Sequence, residues 1–441
     1  MSQAVPAGRT PPWLLRRLFP LLATVIMIII GMAGTIWGPR FYGKTAWALP
    51  DDLWGTMIAA QRLAHLDLGG LYTPPTELVS LPGAAIILIP VVALIDAAGL
   101  RLGLPAAHAA HPGTWLLAGP YEVAISAVVL CAADAIAERR GATRPKRFLL
   151  AAASGTALWS VTIRWGHPED AVATGLLLYA ILALSEARTS RAAWLAGAAV
   201  AVQPLVLLAF PVLLAVIRPR QWPGFLTRAA APGVLLLAVA AAANWTATMH
   251  AVTSQPNSPR IDHPTPWIYL APHLANDQVA AGPARILALV AACGCGLLAW
   301  RSWRVREMAW SPEMLQELLW WAAVALALRS AFEPVMVAYY LWPPLALALI
   351  PASRDWTRLL GAGVTAVVLT FFSQIHWHNP WSWWTPMMAV LALTLFLARP
   401  RRVDQGRVSR GQLNRRGGPR LGPPAQVLPE PGEQFVPDGA P

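Results

Sequence analysis

Residues 18–37 read LFPLLATVIMIIIGMAGTIW, twenty positions without a single charged side chain. Coiled as a helix, a run of that length spans the ~30 Å hydrocarbon core of a bilayer. Arg9, Arg16 and Arg17 precede it, so the positive-inside rule assigns residues 1–17 to the cytoplasm. No small-residue cleavage site follows, and the run reads as an uncleaved anchor. The rest of the 441-residue chain fits the same solvent: 56% of it is hydrophobic and 13% charged. A water-soluble domain of this length does not carry those proportions.

Eleven further apolar runs follow, at 82–99, 115–137, 148–163, 171–184, 194–217, 233–249, 286–300, 318–332, 335–350, 359–372 and 384–398. If all twelve alternated strictly, the basic loop Arg139, Arg140, Arg144, Lys146, Arg147 would face outward, against the orientation rule. The conflict disappears if two runs enter and leave on one side. These are the run after Pro82 and the run 194–217, which Pro204 and Pro211 interrupt. Broken or re-entrant helices are tolerated where they line a cavity inside the protein. Ten runs then cross, with twelve crossings as the alternative. The loops at Arg139, Arg188, Arg218, Arg301 and Arg354 all face the cytoplasm, as does the tail. The nine histidines, His65, His108, His111, His167, His250, His263, His273, His376 and His378, fall outside.

The expected architecture is therefore an all-α polytopic membrane helical bundle of ten to twelve transmembrane segments, with one or two broken or re-entrant helices. It occupies residues 18–398 in the plasma membrane, with outer loops 38–81, 249–285 and 373–383. Residues 399–441, rich in Pro, Gly, Arg and Gln, form a disordered cytoplasmic tail. Both termini are cytoplasmic and the active polar residues extracytoplasmic. The formal charge of +12 lies in short loops and not in an aromatic-studded stripe, so no nucleic-acid partner is expected. Cys131, Cys293 and Cys295 sit within apolar runs and match no zinc spacing, so neither disulfides nor metal cysteines are expected. No fixed-period repeat or phosphate-binding glycine loop is present.

Several polar groups could carry chemistry. Asp51 and Asp52 follow the first span, close to the membrane surface, where a carboxylate can act as general base towards an acceptor hydroxyl. They could equally cap the helix that follows. The short connection Arg164-Trp165-Gly166-His167-Pro168-Glu169-Asp170 gathers donors suited to a phosphate beside two acids; the plain alternative is a solvated loop whose acids favour a helix N-terminus. Asp96, Glu122, Arg329 and Glu333 lie in or at the edge of spans, where ionisable groups usually face a cavity or each other. Arg329 and Glu333, four residues apart, could be a structural pair. Tyr339, Tyr340 and Trp342 follow, for which an interfacial aromatic belt is the plain explanation. The last outer loop, His376-Trp377-His378-Asn379-Pro380-Trp381, could stack on a sugar ring through its tryptophans; His376 and His378 alone are an insufficient metal-ligand set. The loop from His250 to Pro283 carries Arg260, Asp262, His263, Trp267, Tyr269, His273 and Asp277 and could cover an active site.

Taken in order, these landmarks resemble the GT-C polytopic membrane glycosyltransferases, most closely the family 87 polyprenyl-phosphate-mannose-dependent mannosyltransferases of actinobacteria. The resemblance covers about residues 45–350. It lies in Asp52 of the first outer loop, the Gly70-Leu71-Tyr72-Thr73-Pro74 element, Pro82, Gly166-His167, Gln203-Pro204 before a leucine-rich stretch, and Tyr340-Leu341-Trp342-Pro343. Gln203 stands where the family favours lysine, and His167-Pro168-Glu169-Asp170 replaces an amide-rich turn. The resemblance implies that 18–398 is a transmembrane glycosyltransferase domain. Asp52 or Asp51 would be the base, and Arg164, His167 and Gln203 would hold the donor phosphate. Glu169, Asp170, Tyr72, Glu333, Tyr340, His376 and His378 would bind substrate. The implied partners are a polyprenyl-phosphate sugar donor, a glycolipid or glycan acceptor, and the bilayer. No cofactor is required, and a divalent metal is left open. A transporter or flippase of a lipid-linked sugar, or a non-catalytic envelope assembly protein, would share the many spans.

Overall fold

The computed structural model describes residues 13–42, 47, 51–74, 76, 78, 80–102, 112–254, 259, 263–274, 277–280, 282–305, 310–375 and 379–400. The expected tail beyond Pro400, His108, His111, Arg260, Asp262, His376 and His378 lie outside these residues. The side chains of Asp51 and Asp52 do too.

The described chain is a helical bundle. Its elements are α1 (Trp13–Arg16), α2 (Leu18–Tyr42), α3 (Asp51–Ala64), α4 (Pro82–Ile86), α5 (Ile89–Ala97), α6 (Pro112–Arg139), α7 (Arg144–Trp159), α8 (Pro168–Ser185) and α9 (Thr189–Val202). There follow α10 (Phe210–Ala215), α11 (Trp222–Ala243), α12 (Trp245–Ser254), α13 (Ala284–Val305), α14 (Pro312–Phe332), α15 (Trp342–Ala352), α16 (Trp356–Phe372) and α17 (Pro380–Ala398). Two short strands, β1 (His263–Pro264) and β2 (Val335–Met336), pair antiparallel. Six helices are long and apolar enough to cross a membrane: Leu18–Gly38, Gly113–Arg139, Pro168–Ser185, Pro219–Ala243, Ala284–Val305 and Pro380–Ala398. Three more apolar stretches, Pro204–Ala215, Ala338–Ala352 and Trp356–Phe372, are shorter. Ile30, Val234, Leu235, Val290 and Phe396 are each more than half exposed. A perimeter so apolar is compatible with lipid and not with water. The protein is a multi-span membrane protein.

The core runs through α15, in which every residue from Trp342 to Ala352 is buried. Around it α6, α8, α9 and α11 form one side, and α7, α16 and α17 another, with α2 against α6 and α7 and with α13 and α14 completing the ring. One end of the bundle is tied by charges. Arg17 donates to Asp134 at 2.8 Å, Arg147 to Asp134 at 2.6 Å, and both reach Glu138. Arg139 pairs with Glu186, and Lys146 donates to the carbonyl of Arg354. These contacts put the starts of α2, α7 and α16 beside the ends of α6, α8 and α15, so the first three run opposite to the last three. Removing one partner from the buried Arg17–Asp134–Arg147 set would cost about 3–5 kcal/mol, because a charge would be left unpaired.

Two apolar runs are broken, as the charge pattern requires. The run 82–99 splits into α4 and α5, each opening at a proline. The run 194–217 ends its first helix at Gln203, in extended backbone, and resumes as a 3₁₀ turn, Pro204–Ala209, before α10. The flanking helices α9 and α11 run parallel. Gly197 packs on the Ala229 backbone and Gly233 beside Val200, so rising numbers in one follow rising numbers in the other. The chain between them must therefore double back, and it turns at Gln203-Pro204. The apolar run read as 233–249 is instead two helices. Asn244 interrupts it, while Pro232 is absorbed inside α11, which begins at Trp222.

Trp47 fixes the entry to α3. Its indole lies between Gly31 of α2 and Gly119 of α6, where an added Cβ would stand 2.5 and 2.2 Å from ring atoms. Its backbone N–H donates to Thr35 Oγ1 at 3.2 Å. Asp51 and Asp52 are the first two residues of α3, the position that the capping alternative assigns to them.

Candidate functional site

The densest buried polar cluster away from the charged end is built on the connection from α7 to α8. The last turn of α7 widens into a π turn, Ser160–Arg164, pinned by Gln374 in the turn after α16, which donates to Ser160 Oγ at 2.7 Å. Single π turns inside helices recur at functional sites. Gly166 then adopts φ +61°, a left-handed conformation that glycine enters without steric cost. Pro168 at the first position of α8 restarts the helix. The sharp reversal turns His167, Glu169 and Asp170 inward, and all three are buried.

His167 Nδ1 lies 2.6 Å from Glu169 Oε1. A carboxylate on one ring nitrogen fixes the tautomer and orientation of the imidazole. The ring stacks on Tyr339 with centroids 3.8 Å apart, and Trp165 approaches the same tyrosine at 6.0 Å. Tyr339 meets Tyr340 edge-on, and the Arg329 guanidinium covers Tyr340 at 3.7 Å from the ring centre. Arg329 also stands 3.7 Å from Glu333, which takes a shorter contact, 2.6 Å, from Arg285 at the head of α13. A rail of polar and aromatic groups thus runs from the α7–α8 turn across α14 to α13. The pairing of Arg329 with Glu333 is present, with Arg285 as a further partner.

Two carboxylates on this rail are not neutralised. Asp170 is 1% exposed, and neither of its carboxylate oxygens has a hydrogen-bond partner among the described residues. Glu169, His167, Arg329 and Gln203, the last at the turn between α9 and α10, lie near enough to act on it electrostatically. Glu122 of α6 is 2% exposed, feels Glu169, and makes no hydrogen bond or ion pair among the described residues. A buried carboxylate without a donor is costly, and such groups mark functional positions in membrane proteins. Chemically the cluster offers acceptors for hydroxyl groups, aromatic faces, and a His–Glu pair able to hold or move a proton.

The segment around β1 folds onto the same corner. Thr265 donates from its N–H to Pro334 O at 3.0 Å and from its hydroxyl to Glu333 O at 2.6 Å. Trp267 Nε1 donates to Ala331 O at 2.6 Å, and His263 stacks on Trp383 at 4.1 Å. The segment therefore caps the Arg285–Glu333–Arg329 end of the rail.

The structure brings His167, Glu169, Asp170, Gln203, Glu333 and Tyr340 of the expected set into one neighbourhood. Two others make no hydrogen bond or ring contact with it among the described residues. Arg164 is exposed at the end of the π turn, without an ion pair or hydrogen bond among the described residues. Tyr72 belongs to the first outer loop, where its hydroxyl donates to Ser80 O at 3.1 Å and burial raises its pKa. Arg62 knits that loop by donating to Thr73 at 2.9 Å and to the Gly70 carbonyl. Asp96 accepts from Gln61 at 2.9 Å and is a packing contact between α5 and α3. Arg285 escaped the sequence reading, in which the apolar run opens one residue later, at 286. The stacking of Tyr339 on His167 had no local signal, since 172 positions separate them. Among the described residues no group of three His, Cys, Asp or Glu side chains is arranged to hold a metal ion. Comparison with known protein families gives no matching family, and comparison with curated proteins gives no matching relative.

Proposed function

We propose that this chain is an inverting glycosyltransferase. It moves a sugar, mannose by resemblance, from a polyprenyl-phosphate donor to a glycolipid or glycan acceptor at the extracytoplasmic face of the plasma membrane. The observation that carries the reading is the buried cluster of His167, Glu169, Asp170 and Glu122 with Tyr339, Tyr340 and Arg329. It lies at the far end of α7 and the start of α8, away from the ion-paired rim. A membrane-borne head group would meet it there. The reading includes ten crossings, with 82–99 and 194–217 re-entrant and the ion-paired rim in the cytoplasm.

The chemistry is a direct displacement. Asp52, or its neighbour Asp51, takes the proton of the acceptor hydroxyl as that oxygen bonds to the anomeric carbon, and the bond from that carbon to the lipid phosphate breaks. Arg164, His167 and Gln203 stabilise the charge growing on the departing phosphate. Glu169, Asp170, Tyr72, Glu333 and Tyr340 are assigned to the substrates, with His376 and His378. A lipid phosphate leaves readily, so the displacement requires no cofactor; a chelator arm decides any role for a divalent metal.

The test is transfer of label from radiolabelled polyprenyl-phosphate-mannose to a membrane-lipid acceptor extract by the reconstituted protein. Wild type is compared with Asp51→Asn, Asp52→Asn and Glu169→Gln. Loss in one well-folded variant identifies the base. Failure of wild type with mannose, arabinose and glucose donors alike would sink the enzyme reading. The unneutralised Glu122 and Asp170 favour a second reading, a transporter of a lipid-linked sugar. Under it, labelled donor would move across proteoliposomes without forming product.

A further inference from the structure

A groove of about 400 Å³ runs along the outside of the bundle between α2 and α7. Phe19, Ile26 and Ile30 line one wall, Phe148, Thr156 and Trp159 the other, and Phe371 of α16 borders it. Phe19 and Phe148 close its lower end edge-to-face at 5.8 Å. Just below them Arg17 and Arg147 are committed to Asp134 and Glu138, while Arg144, one turn before Phe148, is exposed without an ion pair among the described residues. The upper end is the one that adjoins the His167 cluster. Beyond Trp159 the π turn inserts an extra residue per turn, which swings Arg164 round to follow the exposed stripe Phe148, Thr156. Arg164 is not part of the lining, but five residues beyond Trp159 it stands exposed and unpaired among the described residues, one turn from His167.

An apolar channel with one unsatisfied cation at its head complements an amphiphile with one anionic head. Size and length narrow the class. The volume suits one chain segment and not two. From Arg164 down to Phe148 the helix covers about 24 Å. An acyl chain anchored at the same surface reaches only through its own leaflet, about half of the ~30 Å core. We infer that the groove seats the single isoprenoid chain of a lipid monophosphate, tail towards Phe19 and Phe148, phosphate on Arg164. This rests on the transfer reading above, for which it supplies the path by which the donor lipid reaches His167.

The inference is tested on the full-length protein in detergent with a long-chain polyprenyl phosphate carrying a photoactivatable diazirine on its tail. Crosslinked peptides are mapped, with unlabelled polyprenyl phosphate, polyprenol and phosphatidic acid as competitors. The expected result is label on residues 19–30 and 148–159, displaced by polyprenyl phosphate but not by the alcohol or by phosphatidic acid. Arg164→Gln weakens labelling about tenfold, the loss expected for one charge-assisted contact, while Arg164→Lys retains most of it. Thr156→Trp, which fills the groove from an exposed position, abolishes it. Label elsewhere, equal displacement by phosphatidic acid or polyprenol, or indifference to Arg164→Gln would overturn the inference, and the mapping on wild type does so without relying on any variant. Labelling as expected with no sugar transfer would sink the enzyme reading and leave the groove standing. Transfer with label elsewhere would do the reverse.

Discussion

Asp170 sets the terms at the scale of single residues, because a sealed carboxylate without a donor is kept at a cost to the fold. Replacing it by asparagine removes the charge and keeps the shape. Asp170→Asn is expected to leave the thermal midpoint unchanged or raised, reflecting relief of about 1–3 kcal/mol, while sugar transfer falls at least about 100-fold, the lower bound for a lost acid–base or charge contribution. Thermal unfolding of the purified variant, followed by tryptophan emission, checks the first half. A clear fall in the midpoint would mean that the carboxylate is bonded to something that stabilises the fold. Tyr339 makes a complementary case. Its ring supports the His167 imidazole at 3.8 Å, so Tyr339→Phe should retain transfer, whereas Tyr339→Ala should lose it together with about 1 kcal/mol of stability. If the phenylalanine variant were as inactive as the alanine one, the hydroxyl and not the stacking would be what matters.

Among the elements, glycine decides which helices can touch. Trp47 occupies its slot only because Gly31 and Gly119 offer no Cβ, so Gly119→Val must displace either the ring or α6. The expected cost is about 1–3 kcal/mol, as for overpacking elsewhere, and α3 would lose its anchor, lowering transfer as well. Circular dichroism melts and transfer rates measured on the same preparation check both; unchanged values would show that Trp47 is not held there in solution. The helical class and the lipid-facing perimeter were legible because a chain of unbroken apolar runs has one solvent that suits it. The break in the run 194–217 was legible at Pro204, whereas the break in 82–99 falls at Ile87–Leu88, ahead of Pro90 and not at Pro82. The ends of α11 were misread because Pro232 lies inside it, and proline is a weaker stop when neighbouring helices satisfy the freed backbone groups. The strand pair between β1 and β2 was invisible, since two residues on each side carry no period. Within the site, His167, Glu169 and Asp170 were legible as a crowded short loop. Their contact with Tyr339 and the role of Arg285 depend on packing across elements, which local sequence does not encode.

At the scale of the whole molecule, the structure has two chemically distinct ends, and which of them faces the cytoplasm determines the biology. One end is an ion-paired rim in which Arg17, Arg147, Asp134 and Glu138 stitch α2, α6 and α7 together. The other carries the His167 cluster beneath the segment held at Thr265. The positive-inside rule favours the rim in the cytoplasm, since the exposed arginines Arg188, Arg218 and Arg220 add to its positive charge. Single cysteines introduced into a variant whose Cys131, Cys293 and Cys295 are replaced by alanine would decide the matter. Leu66→Cys and Tyr269→Cys, at positions 81% and 73% exposed, should react with a membrane-impermeant maleimide on intact cells. Ser190→Cys, Arg220→Cys and Arg354→Cys should react only after permeabilisation. The pair Ser190 and Arg220 bears most directly on the count of crossings, because the parallel course of α9 and α11 requires the chain between them to return to the side it left. Labelling of both from the cytoplasm would support a re-entrant hairpin with its apex at Gln203, beside Asp170. Labelling of Arg220→Cys from outside would make α9 and α10 a crossing, invert every later segment, and move Arg285 and Glu333 to the opposite side from His167. The contacts that join those residues through Tyr340 and Arg329 could not then exist, so the same experiment tests the integrity of the proposed site.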